Sequence, residues 1–154
     1  MITFTVPGIA RGKGRPRVAR RGAHVALYTD AKTASYEGLV AMAAQAALAG
    51  QAPLNGPVIM TMLVRIAPPQ SISKSARQAM LSGQFAPTKK PDLDNVTKAI
   101  LDGCNGVAFQ DDKQVVEIYA AKIFAEVAGV DVTLKIASCP PLFTTSNATM
   151  RTPA

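Results

Sequence analysis

The chain has 154 residues, a net charge of +7 and 48% apolar residues. That length supports one domain with a real core, and the apolar content excludes a disordered chain. No apolar run approaches the ~20 residues of a membrane span. The opening MITFTV has neither a charged n-region nor a small-residue cleavage site, so a cytoplasmic rather than secreted or membrane protein is expected.

Ile2 to Val6 alternates as a short strand. GIARGKGRPRVARRGAHVALYTD follows, where Gly12, Gly14, Pro16 and Gly22 break any helix, so a flexible basic loop is expected, closing on a short strand near Val25 to Tyr28. Ala31 to Leu48 has helical apolar spacing, with Thr29 or Asp30 as N-cap and Gly50 near its end. Gly56 to Ile66 reads as a central strand. A short helix capped by Ser71 or Ser73 stops near Gly83.

Asp92 to Cys104 reads as a helix with Asp92 as N-cap, closed by Gly103 or Asn105. Gln114 to Ala125 and Val130 to Ala137 read as strands around a turn at Ala128-Gly129. The Pro-, Thr- and Ser-rich segment from Ser138 is expected to be a frayed tail, leaving 1–137 as the domain and 138–154 as tail.

The charges are unevenly placed. Seven of the ten acidic residues lie between Asp92 and Glu126, while the first 91 residues hold only Asp30 and Glu37 against twelve Lys or Arg. A basic body around a small acidic centre suits an enzyme that grips a polyanion and cuts it with metal ions. The pI of about 9.7 points the same way. Cys104, Cys139 and the single His24 are not spaced for a zinc site, so the cysteines read as reduced and structural and His24 as surface or loop.

On the predicted helix, Asp94, Lys98 and Asp102 stand four residues apart, with Asn95 beside Asp94, while Leu93, Val96, Ile100 and Cys104 form an opposing apolar stripe. Asp111-Asp112 sits at the lip of the next strand. Gathered carboxylates repel unless a cation fills the gap, and an all-oxygen set selects a hard ion such as Mg²⁺ or Mn²⁺. Taken singly, Asp92 is a helix cap, Asp94 with Lys98 a surface pair, and Asp111-Asp112 a polar turn. An EF-hand is excluded, because Val96 and Thr97 stand where it needs an oxygen ligand and a glycine.

PDLDNVTKAILDG, a short connector and DDKQVVEIYAAK together resemble the RusA family of Holliday junction resolvases, endodeoxyribonucleases of bacteria and their prophages. The family hallmark is a P-D-x-D-N-x-x-K-x-x-x-D helix followed by a D-D-x-x-V strand. KGRPR from Lys13 to Arg17 extends the resemblance weakly to the N-terminus, so that it covers roughly residues 1 to 137.

The resemblance implies an α+β domain, a mixed β-sheet packed with about three helices. It makes Asp92, Asp94 and Asp112 the catalytic, metal-binding aspartates and Lys98 the essential lysine. Asp111 and Asp102 become supporting residues, with Asp111 the alternative metal ligand, and Asn95 orients the site. It implies a Mg²⁺-dependent homodimer, with Mn²⁺ as a possible substitute, acting on branched DNA.

The basic loop supplies phosphate contacts through Arg11, Lys13, Arg15 and Arg17, extended by Lys89 and Lys90 beside Asp92. Tyr28, Tyr36 and Phe85 are the aromatics near basic segments, too few for a dedicated single-strand binder. Two rivals remain: a non-catalytic nucleic-acid-binding protein, and a nuclease of the same scaffold acting on flaps or forks.

Overall fold

The computed structural model describes residues 1–14, 17–21, 24–28 and 31–138. Its elements run β1 (Ile2–Pro7), β2 (Arg17–Arg21), β3 (His24–Tyr28), α1 (Ala31–Leu48), β4 (Val58–Ile66), α2 (Lys74–Leu81), α3 (Leu93–Cys104), β5 (Val115–Phe124) and β6 (Gly129–Ile136). The main sheet has the order β1-β6-β4-β5, and β2 and β3 form a separate antiparallel pair. β4 pairs in parallel with β5 and antiparallel with β6. This is the expected α+β domain, a mixed sheet packed with three helices.

The sheet buries one face. In β1 the residues Ile2, Phe4 and Val6 point inward and alternate with exposed neighbours. They stand opposite Leu134, Val132 and Val130 of β6, which in turn pair with Met60, Met62 and Val64 of β4. A strand's period of two puts this whole set on one side. α1 covers it with Tyr36, Val40, Ala44 and Leu48, and α3 with Val96, Ala99, Ile100 and Cys104. The stripe on α3 is thus the expected one, widened towards its C-terminal end. Leu93, at the solvent-facing start of the helix, is only partly buried, and Ala99 and Gly103 complete the contact.

Two small devices set how closely the helices pack. A Cβ on Gly103 would lie 2.6 Å from Val40 Cβ and 2.8 Å from the Glu37 carbonyl oxygen, so only glycine lets α3 approach α1 this far. Phe109, fully buried, plugs the end of the core where its short segment bridges Leu54 and Asn105.

The basic segment departs from expectation. Arg17–Arg21 is a strand paired with His24–Tyr28, so half of the expected loop is a hairpin and His24 opens a strand. Glycine and proline exclude a helix there, but Val18, Val25 and Leu27 are good strand formers. Arg15, the expected caps Thr29 and Asp30, Cys139 and the tail beyond Ser138 lie outside the described residues. Ser73 caps α2, accepting from the Ala76 amide at 3.2 Å. Among the described residues no helix is long and apolar enough to cross a membrane.

Candidate active site

A cap aspartate ordinarily accepts a hydrogen bond from an amide in the first turn of its helix. Asp92, the N-cap of α3, does not: its carboxylate makes no capping bond and, among the described residues, accepts only from Asn95 Nδ2, at 3.3 Å. Asp94 lies in the first turn and is exposed. Both anions thus stand at the positive end of the helix dipole with their oxygens turned to solvent. Simple capping does not explain Asp92.

Nor does Lys98 turn back to Asp94. Its Nζ lies 2.8 Å from Asp102 Oδ1 and 2.9 Å from Asp112 Oδ2. Asp102 Oδ2 meets Lys13 Nζ at 2.7 Å, and the same nitrogen lies 2.7 Å from Glu37 Oε1. A chain of alternating charges, Glu37–Lys13–Asp102–Lys98–Asp112, therefore crosses α1, the N-terminal loop, α3 and the turn before β5. Hydrogen bonds from Lys98 to Asp102 and Asp112 hold its ammonium up at about 12. Lys13 is raised for the same reason, by Asp102 first and Glu37 second. Burial pushes the Asp102 carboxyl up, but Lys13 and Lys98 outweigh it and leave the group below the ordinary carboxylate value.

The two residues of the Asp111-Asp112 pair do different things. Asp111 caps a single 3₁₀ turn, Asp112–Gln114, accepting from the Lys113 amide at 3.0 Å. That bond, with the Lys113 ammonium, lowers its pKa. Gln114 clips the turn to the preceding loop: its Oε1 accepts from the Gln110 and Asp111 amides at 2.8 and 3.2 Å. Its Nε2 donates to the carbonyls of Leu54 and Gly56 at 3.2 and 3.0 Å. With the turn locked this way, Asp112 is the member that reaches α3.

The other side of the site is pinned by Lys122 of β5. Its ammonium donates to the Lys89 and Pro91 carbonyls, both at 3.1 Å, and so holds the segment carrying exposed Lys89 and Lys90 against the sheet. The N-terminal loop is stapled to α3 as well. The Lys13 amide donates to the Asn95 carbonyl at 2.8 Å, and a Cβ on Gly12 would fall 2.7 Å from Asn95 Cβ.

Of the residues expected to work together, the structure joins Lys98, Asp102 and Asp112, and joins Asp92 to Asn95. Among the described residues, as their side chains stand, no group of three or more His, Cys, Asp or Glu is gathered closely enough to hold a metal ion. Lys13, expected on DNA, is engaged by two carboxylates instead. Glu37, Gln114 and Lys122 escaped the sequence reading. Only Glu37 carried a signal, as one of two acids in an otherwise basic first 91 residues.

A mixed sheet carrying an acidic helix mouth, in a strongly basic chain, agrees with the charge pattern of a protein that acts on nucleic acid, and similarity to other proteins makes the class specific. The family model for endodeoxyribonuclease RusA matches residues 7–135. The uncharacterized protein YqaN of Bacillus subtilis (strain 168) is 33% identical over 136 residues, covering 87% of this chain and 95% of its own length. The chain belongs to the RusA endodeoxyribonuclease family. Its chemistry is accordingly that of a nuclease, the hydrolysis of DNA phosphodiesters.

Proposed function

We propose that the protein is a Mg²⁺-dependent endonuclease that resolves four-way DNA junctions by paired nicking, acting as a homodimer. The observation that carries the reading is the N-cap Asp92, which withholds its carboxylate from the helix it starts and stands with the exposed Asp94 over the same turns of α3 that aim Lys98 at Asp112. A carboxylate at a helix mouth that does not cap is free to bind something else. The donors fit a hard cation in chemistry, being carboxylate oxygens with no histidine or thiolate among them. Asp112 is paired with Lys98, so it would exchange that partner for the ion.

Asp92, Asp94 and Asp112 would hold the ion, with Asp111 kept to the turn. A bound divalent cation supplies an acidified water and charge neutralisation at the scissile phosphate. Lys98, fixed between Asp102 and Asp112, places a positive charge beside that phosphate. Asn95 keeps Asp92 oriented. Arg11, Lys89 and Lys90 flank the site as phosphate contacts, which orient the strand without reading its sequence.

Dimerisation is supported by the outer edge of β5, which pairs with no strand among the described residues and carries exposed Val116, Ile118, Tyr119 and Ile123. Such an edge favours association. Two copies related by a two-fold axis would match the symmetry of the junction.

The test is cleavage of labelled four-way junction, fork, flap and linear duplex, side by side, in Mg²⁺ and in EDTA. A supercoiled plasmid bearing a cruciform adds the pairing readout, because coupled nicks linearise it and single nicks only relax it. Junction cutting that needs Mg²⁺ and linearises the plasmid is expected. Preference for forks or flaps would move the substrate elsewhere, and binding without cutting under any metal would leave a non-catalytic DNA-binding protein.

A further inference from the structure

β4 and β5 run in parallel and end side by side, with Ile66 paired to Phe124. Beside that pair lies a cavity of about 370 Å³, lined also by Met80 of α2 and by the segment that leads from α2 to α3. Phe85 of that segment is 58% exposed, and no residue of α2 is buried. One exposed apolar side chain needs no explanation. Here the ring shares a concavity with Ile66, Met80 and Phe124, of a volume that suits a small ligand.

The charge at this cavity has one sign. Lys89 and Lys90 line it, both exposed, and no lining residue is acidic. Their backbone is fixed, because Lys122 donates to the Lys89 and Pro91 carbonyls, both at 3.1 Å. Lys90 is two residues from Asp92, hence within ~7 Å of it along the chain. An apolar hollow edged only by cations selects a flat apolar body that carries negative charge. In a DNA strand that body is a nucleotide, with its base for the hollow and its phosphates for the lysines.

We propose that this cavity receives one unstacked nucleobase of the bound DNA, next to the phosphate that is cut, with Phe85 as its stacking platform and the flanking phosphates on Lys89 and Lys90. The inference rests on the nuclease reading and deepens it, since it supplies a source of substrate selection. A base at the exchange point of a junction leaves its stack at lower cost than one inside an intact duplex. A site that must be filled by such a base favours branched over linear DNA.

The full-length protein is assayed in EDTA against a fluorescein-labelled four-way junction and a linear duplex. Phe85→Ala should bind the junction roughly tenfold more weakly, the scale of one base stacked on an aromatic ring, and the duplex as the parent does. Its melting temperature should stay near the parental one, because the ring is already exposed. Single abasic sites are then placed in turn at the nucleotides flanking the exchange point. One of them should weaken the parent by a similar factor and leave Phe85→Ala unaffected, since ring and base are two halves of one contact. Lys90→Gln should lower the slope of log K against log salt by about 0.9, the loss of one phosphate contact.

Parental junction affinity in Phe85→Ala, or an unchanged slope in Lys90→Gln, overturns the proposal, as does an equal loss on linear duplex. Losses that simply add at every abasic position overturn it too, because no single base then meets the ring. A parent that cuts junctions in Mg²⁺ without that coupling keeps the nuclease reading and loses the base site. Coupling in a protein that cuts no junction under any metal refutes the nuclease reading and leaves the base site standing.

Discussion

Lys13 stands 2.7 Å from Asp102, so a lysine of the N-terminal basic loop is built into the charge chain that runs through α3 to Asp112. Asp102 holds Lys98 with its other oxygen, and Lys98 holds Asp112. Lys13→Met should therefore cost about 1–2 kcal/mol of stability, between the values for exposed and buried pairs. It should slow single-turnover cleavage about tenfold at saturating DNA and leave the salt slope of binding unchanged. Lys13→Arg should recover part of the rate. A slope lower by about 0.9 with a parental cleavage rate would return Lys13 to the DNA contacts.

Asp111 and Asp112 are neighbours with separable roles. Asp111→Ala removes the cap of the 3₁₀ turn and should lower stability by about 1 kcal/mol, with cleavage reduced modestly. Asp112→Asn keeps the shape and removes the charge that meets Lys98, and should abolish cutting with little change in the melting curve. Side-by-side calorimetry and cleavage of the two variants decide the matter; the reverse pattern would make Asp111 the ligand.

Gly103→Ala should show how tightly the site depends on the contact between α1 and α3. The new methyl meets a β-carbon at 2.6 Å and a backbone oxygen at 2.8 Å, neither of which can swing aside. Overpacking of this kind costs about 1–3 kcal/mol. For a domain this size the melting temperature should fall by roughly 3–10 °C. An unchanged melting temperature would mean that the helices separate at no cost.

Alkaline pH should destabilise the fold in a defined window. Burial holds the Cys104 thiol and the Tyr36 phenol at about 12, against 9.0 and 10.0 in the unfolded chain. Both groups keep their protons longer when folded. Their stabilisation is complete below the unfolded values and drains as the pH climbs from about 9 towards 12. Each proton contributes a slope of about 1.4 kcal/mol per pH unit inside that window. Equilibrium denaturation at pH 8, 9.5 and 11 should reveal the decline, and Cys104→Ala should make it shallower. A flat profile across the series would show both groups to be solvated.

The helix starting after Asp92 was legible because its signals are local. Pro91, an aspartate cap and an apolar stripe at helical spacing suffice to define it. The strands of the main sheet were legible for the same reason, each carrying its own alternation or apolar run. The β2–β3 hairpin was half hidden, since glycines and arginines mask weak strand formers whose pairing lies across the chain. Whether Asp92 caps its helix could not be read at all, because the same residue in the same place can bond the first turn or leave it.

Residue order alone therefore determined the mixed α+β architecture, the acidic helix mouth, the basic segment and the family to which they belong. Short-range periodicity and spacing are written into neighbouring residues and need no partner. Tertiary structure decided which charges meet. Lys13 to Asp102 spans 89 positions and Lys13 to Glu37 spans 24, and contacts of that separation exist only once α1, α3 and the N-terminal loop are packed together. Coulomb forces between side chains depend on distance in space, and the fold alone sets that distance.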